Sequence, residues 1–318
     1  MTTIGSGQNT APASGGAGGK VRRSHAERSR RWFIFLFSVP ALAFYFFFRF
    51  LPSIMGFAIS LFNWKGVSLN MKFIGFDNYS RLFQDSVFYK ALGNHFYIYL
   101  LNTAIVFVLA IALAVLITNS KLRERNFYRI MLFFPSVVPA VIVNVLWVSV
   151  YNPNIGMLNS LLGMLGIAGQ NWIGDGAIVK NSLIFVMVWY SLGFYMVLFM
   201  AAVLNIPADL FEASRIDGAG TVRQTFSITI PLIWEQVRTA LVFFIVTSCG
   251  VGFNVVFMLT KGGPSKASEI LPSYMYLLSF GGQSKFGYAM SVAVMIMLIT
   301  TFLALLLLRL TKRESHEI

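Results

Sequence analysis

The chain has 318 residues, of which 57% are of the apolar types AVILMFWYC and 12% are charged, about half the usual charged share. A soluble fold of this length cannot bury so much apolar surface, so lipid must form part of its solvent. The formal net charge is +13, but the Lys and Arg residues flank apolar runs, which is typical of membrane proteins and argues against nucleic-acid binding. One cysteine and three scattered histidines exclude a disulfide framework and argue against a metal site.

The N-terminal region combines a glycine-rich tail with a basic collar. Residues 1–20 contain six glycines and almost no large apolar side chain, which predicts disorder. The apolar run Phe33–Phe48 follows the collar, and we interpret it as an uncleaved first span rather than a signal peptide. We therefore expect a disordered basic tail over 1–31, a membrane domain over 32–310 and a C-terminal cytoplasmic tail over 311–318.

Six apolar segments are long enough to cross a bilayer as helices. Because lipid offers no partner for open backbone, we expect an all-α polytopic membrane protein. Pro40 and Pro52 predict a kink or a break in the first segment. The segments are approximately 33–62, 97–117, 130–151, 182–204, 239–259 and 287–308.

Charge placement predicts orientation and argues against ion coupling. With the N-terminus inside, the inner segments carry about twice as many Lys and Arg residues as the outer loops, so we expect both termini in the cytoplasm. None of the acidic side chains falls within a predicted span. Proton- or sodium-coupled carriers usually need such a carboxylate, so any energy for uphill transport would enter from outside the bilayer.

The predicted inner loop 205–235 is longer than a connection between two spans requires. Pro207 suits the start of a helix, and Gly218 and Gly220 suit its end. Thr221 with Gln224 three residues later predicts a capping box for a second short helix. We expect two helices under the membrane whose apolar residues need a partner or the bilayer interface.

This loop resembles the EAA motif of bacterial binding-protein-dependent ABC importer permeases. That pattern is Glu-Ala-Ala, three residues, Gly, nine residues, Ile, one residue, then Leu-Pro. The chain has Glu212-Ala213-Ser214, Gly218, Ile228 and Ile230-Pro231, with Ser214 and Ile230 as the two departures. Both departures are small changes in side-chain size that keep the spacing.

Two further segments resemble the carbohydrate branch of that family. Residues 73–94 (FIGFDNYSRLFQDSVFYKALGN) are similar to the segment between the first two spans of sugar permeases, although His95 replaces the usual Thr. Residues 259–264 (LTKGGP) are similar to the segment after the penultimate span of the first permease subunit. The resemblance covers roughly residues 30–310 and implies the compact six-span type I ABC importer permease fold.

The resemblance also implies partners and a mechanism. Two permeases would pair in a bacterial cell membrane, two ABC ATPases would dock beneath them, and an extracellular solute-binding protein would deliver sugar. The loop would form the coupling helix, and the residues expected to contact the ATPase are Phe211, Glu212, Ala213, Ser214, Ile216, Asp217 and Gly218.

We expect this chain to be no enzyme and to bind no cofactor. It lacks a phosphate-binding loop of the G-x-x-x-x-G-K-[ST] type, so ATP and Mg²⁺ would be used by the partner ATPase.

A sugar site needs aromatic faces and neutral hydrogen-bonding groups rather than net charge. The spans offer such residues, although each could equally serve helix packing or anchor the helix at the membrane interface. The candidates are Ser136, Ala140, Asn144, Trp147, Tyr190, Gly193, Tyr195, Ser248, Gly252 and Asn254.

Two alternatives to a sugar permease remain open from the sequence. The first is a permease of the same fold for a non-sugar solute, against which the segments 73–94 and 259–264 argue. The second is a partner-free channel, which would leave the 205–235 loop unexplained.

Overall fold

The computed structural model describes residues 25–66, 70–119, 123–282 and 284–311. The greater part of the predicted disordered tail and residues 312–318 of the predicted C-terminal tail therefore lie outside the described residues. The chain divides into two compact units at Ile54 and Met55.

The described part of the first unit, residues 25–54, is helical. Helix α1 (His25–Tyr45) contains Pro40 and leads into a π-helical turn at Phe46–Phe50, after which α2 (Leu51–Ile59) begins within this unit. The interruption that the prolines predicted takes the form of this π turn. At the turn, Ser53 Oγ donates a hydrogen bond of 2.8 Å to the Arg49 carbonyl. The large apolar side chains of α1 and the π turn are mostly exposed, as expected for a helix whose solvent is lipid.

The second unit contains the remaining helices and one small hairpin, which the all-α prediction did not include. The hairpin pairs Phe62 with Phe73 in antiparallel register. The elements are β1 (Phe62–Asn63), β2 (Lys72–Phe73), α3 (Asp77–Leu82), α4 (Ser86–Asn119), α5 (Arg125–Val137), α6 (Ala140–Val150), α7 (Met157–Met164), α8 (Val179–Leu204), α9 (Ala208–Ile216), α10 (Thr221–Gln224), a π-helical turn (Thr225–Thr229), α11 (Ile230–Leu232), α12 (Trp234–Leu259), α13 (Leu271–Phe280) and α14 (Phe286–Leu310).

Five helices within the described ranges are long and apolar enough to cross a membrane by themselves. The predicted third span, 130–151, is divided between α5 and α6, which meet at an angle of 100°. The break falls in the Pro135–Pro139 segment, which resembles the Pro-rich break of family members. Pro139 lacks an amide hydrogen and disfavours helical geometry in the residue before it. Val138 accordingly adopts an extended conformation with φ −72° and ψ 136°. The pair forms either a sixth, broken span or a re-entrant segment.

The main core forms where α4 packs along α8. Ile98, Val106 and Ala110 of α4 are completely buried, as are Leu183 and Met196 of α8. Aromatic rings extend this core to α12. The Phe107 ring lies 5.2, 5.5 and 5.6 Å from the rings of Tyr195, Phe199 and Phe244.

Polar side chains fix the turns outside this core. The Asn78 amide donates hydrogen bonds to the carbonyls of Ser60 and Phe62, at 2.7 and 3.1 Å. The Asn94 amide donates to the carbonyls of Lys266 and Glu269, at 3.2 and 3.0 Å. The segment 73–94 is therefore held directly against the turn that follows residues 259–264. The two segments that each resemble a part of sugar permeases thus form one local structure.

Gly193 on α8 allows α5 and α8 to approach each other closely. A Cβ atom added at Gly193 would collide with the carbonyl group of Leu132, whereas one added at Gly250 would meet nothing within 4 Å. We expect Gly193→Ala to lower the free energy of unfolding by about 1–3 kcal/mol, the usual cost of overpacking. Thermal unfolding of the purified protein in detergent measures this, with Gly250→Ala as the matched control. Equal midpoints for the two variants would contradict the close packing of α5 on α8.

Candidate functional site

The 205–235 loop folds as two short helices joined by a glycine turn, as predicted. Helix α9 ends at Ile216, and Gly218 then adopts a positive φ of 75°, which side chains other than glycine rarely tolerate. The Ala219 amide donates a hydrogen bond of 2.9 Å to the Ser214 carbonyl, which satisfies one of the free carbonyls at the helix end. Gly218 therefore serves to reverse the chain after α9.

The two helices are linked through side chains that the sequence pattern did not pair. Gln224 Nε2 donates a hydrogen bond of 2.8 Å to Ser214 Oγ, and Ser214 Oγ donates one of 2.8 Å to the Phe211 carbonyl. The predicted capping box is wrong, because Gly220 is the N-cap and Thr221 is the first residue of α10. Ser214, a departure from the EAA pattern, thus connects α9 with α10.

The outer surface of this loop presents apolar and acidic groups to its surroundings. Ile216, Val222 and Phe226 are 87%, 72% and 68% exposed. Glu212 and Asp217 are exposed as well, and neither forms an ion pair with another described residue. Exposed apolar side chains beside unpaired carboxylates are typical of a surface that a partner covers.

The C-terminal end of this loop is connected to the last membrane helix, α14. Trp234 Nε1 donates a hydrogen bond of 3.1 Å to the Thr311 carbonyl, and an Arg238 guanidinium nitrogen donates one of 3.1 Å to the Leu308 carbonyl. Leu308 lies in the last turn of α14 and Thr311 directly follows the helix, a position at which helix carbonyls lack intrahelical donors. A displacement at the start of α12 would therefore be transmitted to α14.

A cavity of about 150 Å³ lies among α4, α5, α8 and α12, and we call it the membrane cavity. Its lining combines aromatic rings with hydroxyl and amide groups and contains no charged side chain. The lining residues are Asn102, Ser136, Tyr190, Ser191, Phe194, Tyr195, Phe243, Phe244, Thr247, Ser248 and Val251.

The structure brings four of the ten candidate substrate residues together at this cavity, namely Ser136, Tyr190, Tyr195 and Ser248. Gly193 and Gly252 lie instead at helix contacts, where added Cβ atoms would collide with Leu132 and Tyr99.

The remaining four candidates lie away from the membrane cavity lining. Asn144 is 1% exposed on α6, and neither its amide nitrogen nor its amide oxygen has a hydrogen-bond partner among the described residues. Trp147 packs its ring 5.5 Å from that of Trp189. Ala140 begins α6, and Asn254 is half-buried on α12.

Sequence reasoning missed several residues of the membrane cavity. Asn102 is the clearest, because its side-chain oxygen is buried without a partner in the described structure and the residue lines the cavity. A lone amide in the apolar run 97–117 was the available signal. Phe243, Thr247 and Val251 recur at intervals of four, which places them on one face of α12.

A second cavity of about 670 Å³ lies beside the first, between α8 and α12. The two share Phe194, Tyr195 and Phe243, and the second extends to Asn205 and Glu235. We call the two neighbouring cavities together the α8–α12 groove. Its far end therefore lies at the two residues that bound the 205–235 loop.

The link between Ser214 and Gln224 leads to a local prediction. We expect Gln224→Ala to leave Ser214 and the Phe211 carbonyl without this donor, at a cost of about 1–3 kcal/mol for buried polar groups. Amide hydrogen exchange over residues 208–219 should therefore become faster, while exchange in α4 stays unchanged. Arg223→Ala, on the same turn but exposed, is the control. Unaltered exchange in the Gln224 variant would show that the bond does not order the loop.

Comparison with known proteins gives the same fold and family. The model of the family described as the binding-protein-dependent transport system inner membrane component matches residues 106–315. The chain is 36% identical over 306 residues to the diacetylchitobiose uptake system permease protein NgcF of Streptomyces coelicolor, covering 93% of this chain and 86% of that protein. It is 31% identical over 279 residues to the lactose transport system permease protein LacF of Rhizobium radiobacter, covering 85% and 91%.

A solved structure shares the fold. One chain in the crystal structure of a bacterial ABC transporter involved in the import of the acidic polysaccharide alginate superposes with a TM-score of 0.80 at 22% identity, covering 91% of this chain and 98% of that chain. The prediction of a helical multi-pass membrane protein with the ABC importer permease fold is confirmed. The chain belongs to the family of binding-protein-dependent transport system inner membrane components.

Proposed function

We propose that this chain is the permease subunit through which an ATP-driven importer moves a sugar or sugar derivative across a bacterial inner membrane. The observation that carries the proposal is the α8–α12 groove, which comprises an uncharged, aromatic cavity and a neighbouring cavity that reaches the two ends of the exposed 205–235 loop. The 205–235 loop thus offers a partner surface at the end of a groove that could accept a neutral polar solute.

The 205–235 loop couples the groove to the ATPase in this proposal. Glu212 and Asp217 make polar contacts with the ATPase, while Phe211 and Ile216 contribute apolar contact and Ala213 permits close approach. The ATPase binds and hydrolyses ATP with Mg²⁺, and its closure displaces α9. The hydrogen bonds from Trp234 and Arg238 to the end of α14 pass this displacement to the membrane helices.

The choice of a sugar as solute rests on two kinds of support. Relatives at 36% and 31% identity are named for diacetylchitobiose uptake and lactose transport. The membrane cavity offers Tyr190 and Tyr195 as ring faces, and Asn102, Ser136 and Ser248 as neutral hydrogen-bonding groups. Such a lining suits a polar, uncharged ligand. A second permease completes the pathway, an extracellular solute-binding protein delivers the sugar, and both termini of this chain lie in the cytoplasm.

Co-purification in mild detergent from the native membrane tests the assembly. We expect an ATPase, a second permease and a sugar-type solute-binding protein to be recovered with this chain and identified by mass spectrometry. Recovery with a binding protein specific for another solute would keep the importer and overturn the sugar. Recovery of the chain alone in several mild detergents would favour a partner-free channel.

Reversal of charge at Glu212 tests the coupling surface. We expect Glu212→Arg to abolish ATP-driven uptake in proteoliposomes. The reversed charge would face a like charge on the ATPase, and such a pair at a docking surface costs several kcal/mol. Membrane insertion and thermal stability should not change, since Glu212 is exposed. Glu124→Arg makes the same charge change at another exposed position and should transport normally. Normal uptake by the Glu212 variant would refute the assignment.

Removal of an aromatic face tests the membrane cavity. We expect Tyr190→Ala to raise the KM for uptake about tenfold or more, which corresponds to about 1–3 kcal/mol of lost binding. Phe185→Ala on the same helix, outside the cavity and 55% exposed, is the control. Initial uptake rates of radiolabelled sugar over a range of concentrations distinguish the variants. Equal KM values would remove Tyr190 from the sugar path.

A further inference from the structure

A third cavity, of about 710 Å³, lies outside the α8–α12 groove and shares no residue with it. We call it the basic cavity. Its wall comes from the β1–β2 hairpin, α3 and the start of α4, the loop before α13 together with α13, and the start of α14 with the residues just before it. The lining residues are Asn63, Trp64, Lys65, Asn78, Arg81, Asp85, Val87, Lys266, Tyr274, Leu278, Ser284, Lys285 and Tyr288.

Four cations converge on this cavity, and three of them lack a counter-charge. Lys266 Nζ lies 3.6 Å from Oε2 of the buried Glu269, so its charge is balanced within the fold. In the described ranges, no carboxylate lies within ion-pair distance of Lys65, Arg81 or Lys285. These three side chains are exposed at the cavity mouth.

The acidic residue of the lining, Asp85, is already occupied by hydrogen bonds. Its Oδ1 accepts from the Val87 amide at 2.8 Å, while its Oδ2 accepts from the hydroxyls of Tyr274 and Tyr288. Burial alone would raise the pKa of Asp85, but these hydrogen bonds outweigh it and hold the pKa below its usual value. Asp85 therefore fixes the start of α4 and two cavity rings. It stays ionised, so the lining carries the charges of three unpaired cations and of one carboxylate whose acceptor positions are filled by neutral donors.

The aromatic rings and the volume of the basic cavity indicate what kind of ligand fits it. Tyr274 and Tyr288 are held in place by Asp85, and the Trp64 ring packs 5.6 Å from that of Phe286. A volume of about 710 Å³ lies within the range of roughly 300–1,000 Å³ that is typical of small-molecule sites. Rigid aromatic walls with unpaired cations at the rim match a ring-containing ligand that carries negative charge.

We propose that the basic cavity binds a small organic anion that carries carboxylate groups on a ring framework, with Lys65, Arg81 and Lys285 as its charge partners. A bounded cavity of this volume favours a small molecule over an acidic protein segment, which would need a wider surface. The site is independent of the α8–α12 groove, so its failure would leave the proposed transport function intact.

Trigalacturonate and maltotriose form a matched pair of probes, since both have three sugar rings and only the first carries carboxylates. We expect the purified full-length chain in nanodiscs to bind trigalacturonate in calorimetry and to bind maltotriose at least about tenfold more weakly. Affinity for trigalacturonate should fall with rising salt concentration, because its charge partners are exposed.

The double variant Arg81→Gln/Lys285→Gln should weaken trigalacturonate binding by about tenfold or more. Lys180→Gln, which alters a basic residue outside the cavity, should leave it unchanged. Equal binding of both trisaccharides, or undiminished binding by the double variant, would overturn the proposal. Binding of triglutamate without binding of trigalacturonate would also overturn it, in favour of an acidic protein segment as the ligand.

Discussion

Backbone amides and carbonyls within a bilayer must find their partners inside the protein, and this constraint underlies the rest of the structure. It makes every long apolar segment helical and allows irregular backbone only where protein encloses it. The bend between α5 and α6 interrupts the helical backbone of one such segment, because Pro139 removes a donor and Val138 leaves the helical region. Ser136 lies beside this bend and lines the membrane cavity, so the irregular backbone occurs where a solute path is proposed.

Outside the membrane helices, buried side-chain amides and carboxylates take over the role of regular backbone pairing. Asn78, Asp85 and Asn94 each satisfy two or more backbone or hydroxyl groups from a different chain segment. This region has a separate apolar cluster that includes Leu82, Phe88 and Leu271. The polar bonds add rigidity to it, because breaking one leaves a polar group unpaired. The basic cavity depends on this arrangement, since Asp85 orients two of its aromatic walls.

The 205–235 loop and the α8–α12 groove form one mechanical unit. Ser214 and Gln224 connect α9 with α10, and Trp234 and Arg238 connect the start of α12 with the end of α14. Each connection is a hydrogen bond made by a side chain of one element to another element, so it resists independent motion of the two. A partner that binds α9 can therefore influence the helices that line the groove.

The sequence by itself determined the membrane class, the approximate positions of the helices and the two-helix form of the 205–235 loop. Composition and the 3.6-residue helix period fix those features locally, and Gly218 ends α9 because its backbone conformation is local as well. Tertiary structure decided which polar residues meet. Asn102 and Asn144 look alike in the sequence, yet one lines the membrane cavity and the other is buried on α6. Gly193 and Gly252 resembled cavity residues but lie where helices cross, because spacing along one helix defines a face and only the neighbouring helices decide what that face contacts.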